Sequence, residues 1–171
     1  MALTSAQLAT LKAAILADTD PEVVAAVAIR NDTEIARLYN VESATEFAWK
    51  TSVTKEEIMT ETSKDSTTFP WDAMAARSAS ELLAWGEMFS LGSVNASIQS
   101  VRNGFGDIFS GGQSNAPAMR AHLLASAKQP VRKWSKLFAT AGDGTDGTPY
   151  TVPADLDREL SYNEVSHALN S

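Results

Sequence analysis

The stretch NAPAMRAHLLASAKQPVRKWSKLFAT, residues 115–140, contains five basic side chains and no Asp or Glu. Its apolar residues, from Met119 to Phe138, recur mainly at steps of three and four, which is the spacing of one helical face. A helix over the whole stretch would be about 39 Å long, the width of a small domain. The pattern predicts one long amphipathic helix that the rest of the chain packs around, kinked or split after about Lys128 by Pro130.

The basic residues of this stretch form a candidate basic face. Two interpretations are open: the side chains contact nucleic-acid phosphates, or they neutralise acidic neighbours and the negative end of the helix dipole. The chain carries a net charge of −7, which disfavours the broad basic footprint of a nucleic-acid-binding protein. The neutralising role is therefore favoured. The candidate residues are Arg120, Lys128, Arg132, Lys133 and Lys136.

The amino-acid composition limits the classes of protein to which the chain can belong. With 171 residues, 44% of them hydrophobic, the chain is long enough for one core, or for a core and an arm. The absence of cysteine excludes disulfides, thiolate nucleophiles and thiolate metal sites. No run of 18 apolar residues occurs, so the sequence predicts neither a membrane span nor contact with a membrane.

Helix-start signals recur along the chain. Residues 20–22, Asp-Pro-Glu, combine a capping carboxylate with proline at the first helical position. At three predicted helix starts, Ser or Thr is followed three residues later by Glu, which is the pattern of a capping box. The three boxes are Thr54-x-x-Glu57, Ser78-x-x-Glu81 and Ser161-x-x-Glu164.

The segment VESATEFAWKTSV (residues 41–53) is predicted to be irregular to helical, and a short strand is the alternative.

The predicted fold is mainly α, a helical bundle around the long helix. Leu82, Trp85 and Phe89 share one helical face and are expected to pack on Leu123, Leu124 or Trp134. Residues 1–141 form the predicted helical body. Residues 142–171 are acidic and begin with a glycine-rich loop, so they are predicted to form an extended arm with a short terminal helix. Polar loops are predicted at Ser63–Thr68 and Gly111–Ser114.

Residues that could support catalysis do not form a recognisable set. Asp143 and Asp146 flank a glycine turn, but the third ligand and the terminal Glu of a calcium loop are missing. His122 has no acidic or imidazole neighbour at helical spacing, so a packed or surface role is favoured over metal binding. The sequence has no Gly-x-Ser-x-Gly motif. We expect no metal, no cofactor and no enzymatic activity.

Five segments taken together resemble a family of small structural proteins encoded among the head and neck genes of tailed bacteriophages. Their order and spacing match over roughly residues 45–169, and none of them is a catalytic signature. The segments are FAWKTSVTKEEIM (47–59), ARSASELLAWGEMF (76–89), VRNGFGDIFSG (101–111), KLFATAGDGTDGTP (136–149) and ELSYNEVSHAL (159–169).

This resemblance implies a virion protein, made in the host cytoplasm, that serves as a head-to-tail adaptor beneath the portal. Such adaptors form rings, with twelve copies expected, whose partners are the portal and the neck or tail proteins. DNA would pass through the ring without specific binding. The arm would then be an assembly device, because alternating side chains can add to a neighbour's sheet edge. The candidate interface residues are Tyr150, Val152, Leu160, Tyr162, Val165 and Leu169.

Two other functions stay open. One is a different minor virion protein that completes the head or the tail. The other, from a separate class, is a helical nucleic-acid-binding or regulatory domain that uses the basic face. Duplex binding that weakens as salt rises would favour the second alternative, whereas ring formation with a portal would favour the adaptor.

Overall fold

Helices dominate the computed structural model, which describes residues 2–60, 68–111 and 115–171. Helical residues make up 54% of the chain that it describes, so the mainly-α prediction is confirmed. None of the described helices is long and apolar enough to cross a membrane. The helices are α1 (Ser5–Ala17), α2 (Pro21–Ala28), α3 (Asp32–Tyr39), α4 (Lys55–Thr60), α5 (Trp71–Ala75), α6 (Ala79–Met88), α7 (Gln99–Ile108), α8 (Ala116–Ser126), α9 (Lys133–Lys136) and α10 (Tyr162–Asn170).

Four short strands form two separate sheets in the described part of the chain. The strands are β1 (Glu42–Trp49), β2 (Val53–Thr54), β3 (Ser93–Val94) and β4 (Lys128–Arg132). β1 pairs with β4. β2 pairs antiparallel with β3, with Val53 opposite Val94. Residues 41–53, predicted from sequence as irregular to helical, therefore contain β1 and the first residue of β2. The alternative of a short strand is the one that the structure supports.

The chain divides into two units, and the division does not fall at residue 141. The first unit contains Met1–Phe47 and Pro130–Ser171, and the second contains Ala48–Gln129. The N-terminal helices and the C-terminal segment thus belong to one unit. The sequence placed its boundary at 141 because the glycine-rich loop there looks like a joint, whereas the chain actually changes unit within β1 and within β4.

The first unit is built from α1, α2, α3 and α10. Leu8, Leu11 and Ile15 of α1 are buried, and Leu16 is exposed. α10 packs on both α1 and α3, and it brings Val165 and Ala168 into the same core. Side chains cap the helix starts: Thr4 begins α1 with a capping box, Asp20 caps α2 and Asn31 caps α3.

The second unit has an aromatic core. Trp85, only 1% exposed, meets the rings of Phe89, Phe105 and Phe109 at centroid distances of 4.8 to 6.4 Å. Leu123 from α8 belongs to the same cluster, and Leu124 packs against it. The predicted packing of α6 on the 115–140 stretch is thus confirmed for Trp85 and Phe89. Leu82 is 41% exposed, and Trp134 lies in the other unit.

The predicted long helix over residues 115–140 is wrong. α8 ends at Ser126, the chain then extends as β4, and α9 adds only one further turn. Proline explains the position of the break. Pro130 has no N–H, its ring collides with a helical carbonyl four residues earlier, which is Ser126, and it biases Gln129 toward an extended backbone. The alternative that Pro130 splits the helix is correct, with the split slightly earlier than predicted.

The predicted C-terminal arm is folded onto the first unit. Val152, Leu156 and Leu160 are each no more than 3% exposed, and α10 lies among the N-terminal helices. The arm was predicted because these apolar residues are too widely spaced to form a core by themselves. α10 is buried because α1 and α3, more than 100 residues earlier, supply the other side of its core.

The glycine-rich loop forms a closed turn. Gly142 and Gly144 have φ of +86° and +82°, where residues with a Cβ are disfavoured. A Cβ at Gly144 would lie 2.3 Å from the Tyr150 ring, so the turn also requires the missing side chain for space. The loop hydrogen-bonds to β1 through Phe47, whose amide donates to Gly144 and whose carbonyl accepts from Tyr150, both at 2.8 Å.

Two further predictions fall partly outside the described residues. The predicted loops at Ser63–Thr68 and Gly111–Ser114 lie outside them except for Thr68 and Gly111.

All three capping boxes are confirmed, with amide-to-side-chain distances of 2.7 to 3.3 Å. Ser78 begins α6, and a separate short helix, α5, precedes it.

Candidate functional site

The predicted basic face is distributed over both units. Arg120 and Lys128 lie in the second unit, and Arg132, Lys133 and Lys136 lie in the first. Arg120 donates to the carbonyls of Phe109 and Gly111, at 2.9 Å for Gly111. The break after α8 removes the continuous helix that would have aligned the five side chains.

The three basic residues of the first unit are held in ion pairs. Lys136 Nζ donates to Glu46 at 2.6 and 2.9 Å, and Arg132 lies 3.3 Å from the carboxylate of Glu42. The Glu46 carboxylate raises the pKa of Lys136, so this side chain stays charged across the physiological range. These contacts match the neutralising role that was favoured from sequence.

Lys133 joins a partly buried cluster of polar side chains around Asp18. The Asp18 carboxylate accepts from Lys133 Nζ at 2.8 Å, from the Tyr39 hydroxyl at 2.8 Å and from the Asp20 amide at 3.0 Å. Burial acts to raise the pKa of Asp18, but these three donors together lower it below its usual value. Burial and the nearby Asp18 carboxylate raise the pKa of Tyr39. This cluster ties α1, α3 and α9 together.

A cleft of about 420 Å³ opens beside this cluster in the first unit. Leu38, Val41 and Val131 supply apolar surface, and charged side chains surround them. Each carboxylate that lines the cleft lies within 4 Å of a base: Glu22 pairs with Arg37, Asp20 with Lys133, Glu42 with Arg132 and Glu46 with Lys136. A phosphate entering this cleft would have to displace a carboxylate from its lysine.

The predicted assembly residues fall into two groups. Val152, Leu160 and Val165 are at most 2% exposed and form part of the core of the first unit. Tyr162 is 55% exposed on the first turn of α10. Tyr150 and Leu169 are half-buried, and the Tyr150 hydroxyl donates to Glu46 at 3.3 Å. The structure thus leaves Tyr162, and parts of Tyr150 and Leu169, on the surface.

Polar contacts fasten the C-terminal segment to the rest of the first unit. The Asn40 side-chain amide donates to the carbonyl of Leu160 and accepts from its amide, both at 2.8 Å. Trp134 Nε1 donates to the Arg158 carbonyl at 2.9 Å. Arg158 in turn forms a two-point ion pair with Glu164, one contact being 3.0 Å. These bonds hold the segment in one register along α3 and α9.

His122 is a buried structural residue. Its ring is fully buried, Nε2 lies 2.8 Å from the carbonyl of Ile58, and Phe69 packs edge-on against it. A packed histidine is one of the two roles expected from sequence. Within residues 2–60, 68–111 and 115–171, no three His, Cys, Asp or Glu side chains are grouped to hold a metal ion.

The sequence analysis missed a set of exposed apolar side chains. On α6, Leu82 is 41% and Leu83 66% exposed, while Trp85 faces inward. On the first unit, Ile29 is 74% and Leu16 59% exposed. The sequence signal was present on α6, because Ala79, Leu82, Leu83 and Gly86 share a face at helical spacing. We assigned Leu82 to the core because it is also close to the Trp85 face.

Comparison of this chain with known proteins identifies no relative. No protein-family model matches the chain, and neither a curated protein nor a solved structure resembles it significantly.

Proposed function

We propose that this chain is a structural protein of a tailed-bacteriophage virion, a head-to-tail adaptor that forms a ring between the portal and the tail. The basis for this class of protein is the resemblance of the five sequence segments to small structural proteins of tailed bacteriophages. The observation that favours this class over a nucleic-acid-binding domain is the pairing of the basic residues. Arg132, Lys133 and Lys136 are each bound to a carboxylate of their own unit.

The charge balance suits a protein that lets DNA pass. Phosphate contacts by free Lys and Arg side chains supply most of the affinity of non-specific DNA binding. In the first unit Arg132, Lys133 and Lys136 neutralise acids instead, and the whole chain keeps a net charge of −7. A ring with such a surface repels the phosphate backbone more than it holds it.

Exposed apolar side chains on both units support a role in assembly. Ile29 and Leu16 belong to the first unit, and Leu83 and Leu91 to the second, with exposures from 59% to 95%. Scattered apolar residues are normal on a protein surface, but a helical face of them is typical of contact surfaces. An adaptor needs such surfaces for its ring neighbours and for the portal and tail proteins.

The C-terminal segment takes part in assembly in one of two ways under this proposal. Tyr162 and Leu169 can contact a neighbour while the segment stays in place, as the exposure of Tyr162 allows. Val152, Leu160 and Val165 can reach a neighbour only if the whole segment is exchanged between copies, because each is buried in its own first unit. Particle formation by a variant with Tyr162→Ala separates the two, since exchange does not depend on that exposed ring.

Duplex binding tests the choice between the two classes. We expect a gel-shift titration of the purified chain near physiological salt to show no shifted duplex at micromolar protein. The reversal of Arg132, Lys133 and Lys136 to Glu should leave that result unchanged. Micromolar binding that falls steeply with salt, and that the triple reversal abolishes, would favour the nucleic-acid-binding domain. Copurification with a coexpressed portal ring is the matching positive test for the adaptor.

A further inference from the structure

One arginine of the first unit lies in an unfavourable backbone conformation. Arg30 follows α2 with φ of +53°, at the position that glycine usually fills in this type of helix end. Its amide donates to the Val27 carbonyl at 3.1 Å, and the next amide donates to the Ala26 carbonyl at 2.9 Å. These are the two hydrogen bonds of a Schellman motif. Residues held in such strained conformations cluster at functional sites, so the side chain of Arg30 is a candidate for a functional contact.

The Arg30 side chain lies at an open groove. Within the described part of the chain, its guanidinium is exposed and has no hydrogen bond or ion pair. The groove is about 310 Å³, with apolar walls from Leu16, Val27 and Leu169, and Asp32 also lines it. The position of Asp32 in the first turn of α3 partly offsets its charge through the helix dipole. A partner for this groove needs an apolar side chain beside a carboxylate.

The outer face of α6 has that composition. Four exposed residues share one face of α6 at helical spacing: Ala79, Leu82, Leu83 and Gly86. Glu87 follows Leu83 by four residues, which places the two side chains next to each other on the helix surface. Glu87 is exposed and, among described residues, makes no hydrogen bond or ion pair. Glu81, the other acid of this helix, is already bound to the cap at Ser78. The unpaired charge on α6 is therefore the carboxylate of Glu87, and it lies next to Leu83, the more exposed leucine of the helix.

We propose that copies of this chain associate head to tail, with the α6 face of one copy seated on the Arg30 groove of the next. Leu83 enters the apolar walls and Glu87 pairs with Arg30. The two surfaces differ and lie on different units, so the contact is heterologous and each copy keeps one surface free for a further neighbour. Repeated contacts of this kind close into a ring when the rotation allows it. The inference rests on the proposed ring assembly and names its interface.

Cysteine crosslinking tests the contact directly, because the natural chain has no cysteine. Two single variants, Ile29→Cys beside the groove and Gly86→Cys on the α6 face, are oxidised separately and as a mixture, with full-length protein at micromolar concentration, so that Leu83 and Glu87 stay intact. We expect a disulfide-linked heterodimer only in the mixture. Homodimers in either separate sample at equal yield would overturn the head-to-tail geometry, and the absence of any linked product would overturn the contact.

Charge reversal provides the matched control. In the crosslinking background, Arg30→Glu alone or Glu87→Arg alone should reduce the heterodimer at least tenfold, and the two reversals together should restore it. Lys55→Glu and Glu56→Arg, equal charge changes on α4, should have no effect. Equal losses from all four changes, or no rescue by the double reversal, would reject the Arg30–Glu87 pair. Particle incorporation by a variant that fails to crosslink would reject this interface while leaving the adaptor function standing.

Discussion

The core of the second unit predicts how strongly one tryptophan supports the fold. Trp85→Ala removes an indole that is 1% exposed and that contacts three phenylalanine rings. Truncation of a buried tryptophan to alanine costs about 3–5 kcal/mol, through lost burial and the cavity that remains. For a unit of this size, each kcal/mol lowers the midpoint of thermal unfolding by about 4–8 °C. The variant should therefore melt at least about 12 °C below the natural protein.

Leu82→Ala is the control for that measurement. Leu82 lies on the same helix and was predicted from sequence to share the buried face, yet it is 41% exposed. Its truncation should cost less than about 1 kcal/mol, since surface substitutions are usually small. Urea titration followed by circular dichroism gives both free energies of unfolding. Equal losses from the two variants, or a loss under about 1 kcal/mol for Trp85→Ala, would refute the described orientation of α6.

Three further outcomes follow from the first unit. Burial acts to raise the pKa of Glu164, but Arg158 and the Ser161 cap lower it to about 2, below its ordinary value of 4.5. The part of the unfolding free energy that comes from Glu164, at most about 3 kcal/mol, should therefore be lost as pH drops from about 4.5 to 2, and the acid-induced decrease for Glu164→Gln should be smaller by that amount. Removal of residues 148–171 should unfold the first unit and lose more helical signal in circular dichroism than α10 alone accounts for. Arg30→Gly should raise the unfolding free energy by about 1 kcal/mol in dilute solution, because glycine relieves the positive φ; a decrease would contradict the strain.

Local signals in the sequence carried much of the fold. The capping boxes at Thr54, Ser78 and Ser161 and the Asp20-Pro21 start each depend on residues within one helical turn. Their geometry therefore needs no information from distant parts of the chain. Pro130 was recognised as the break in the 115–140 stretch for the same reason.

The remaining features depend on contacts that the sequence does not display. Residues 128–132 extend because β1 pairs with them from about 80 to 90 positions earlier, although their neighbours keep a helical spacing. Val165 and Ala168 of α10 are buried in a core that α1 and α3 complete from more than 100 positions earlier. The proposed Arg30–Glu87 contact was missed for a related reason. A role in assembly can be inferred for a single charged residue only when the structure shows that it has no partner within the chain.

Electron cryomicroscopy of the virion tests the adaptor function most directly. The chain would carry a compact tag at its N-terminus, ahead of α1, so that the C-terminal segment stays untouched. We predict tag density in a ring between the portal and the tail, with one copy of the two-unit fold repeated around the axis. Tag density on the capsid shell or along the tail tube, or particles that lack the chain altogether, would contradict the proposed function.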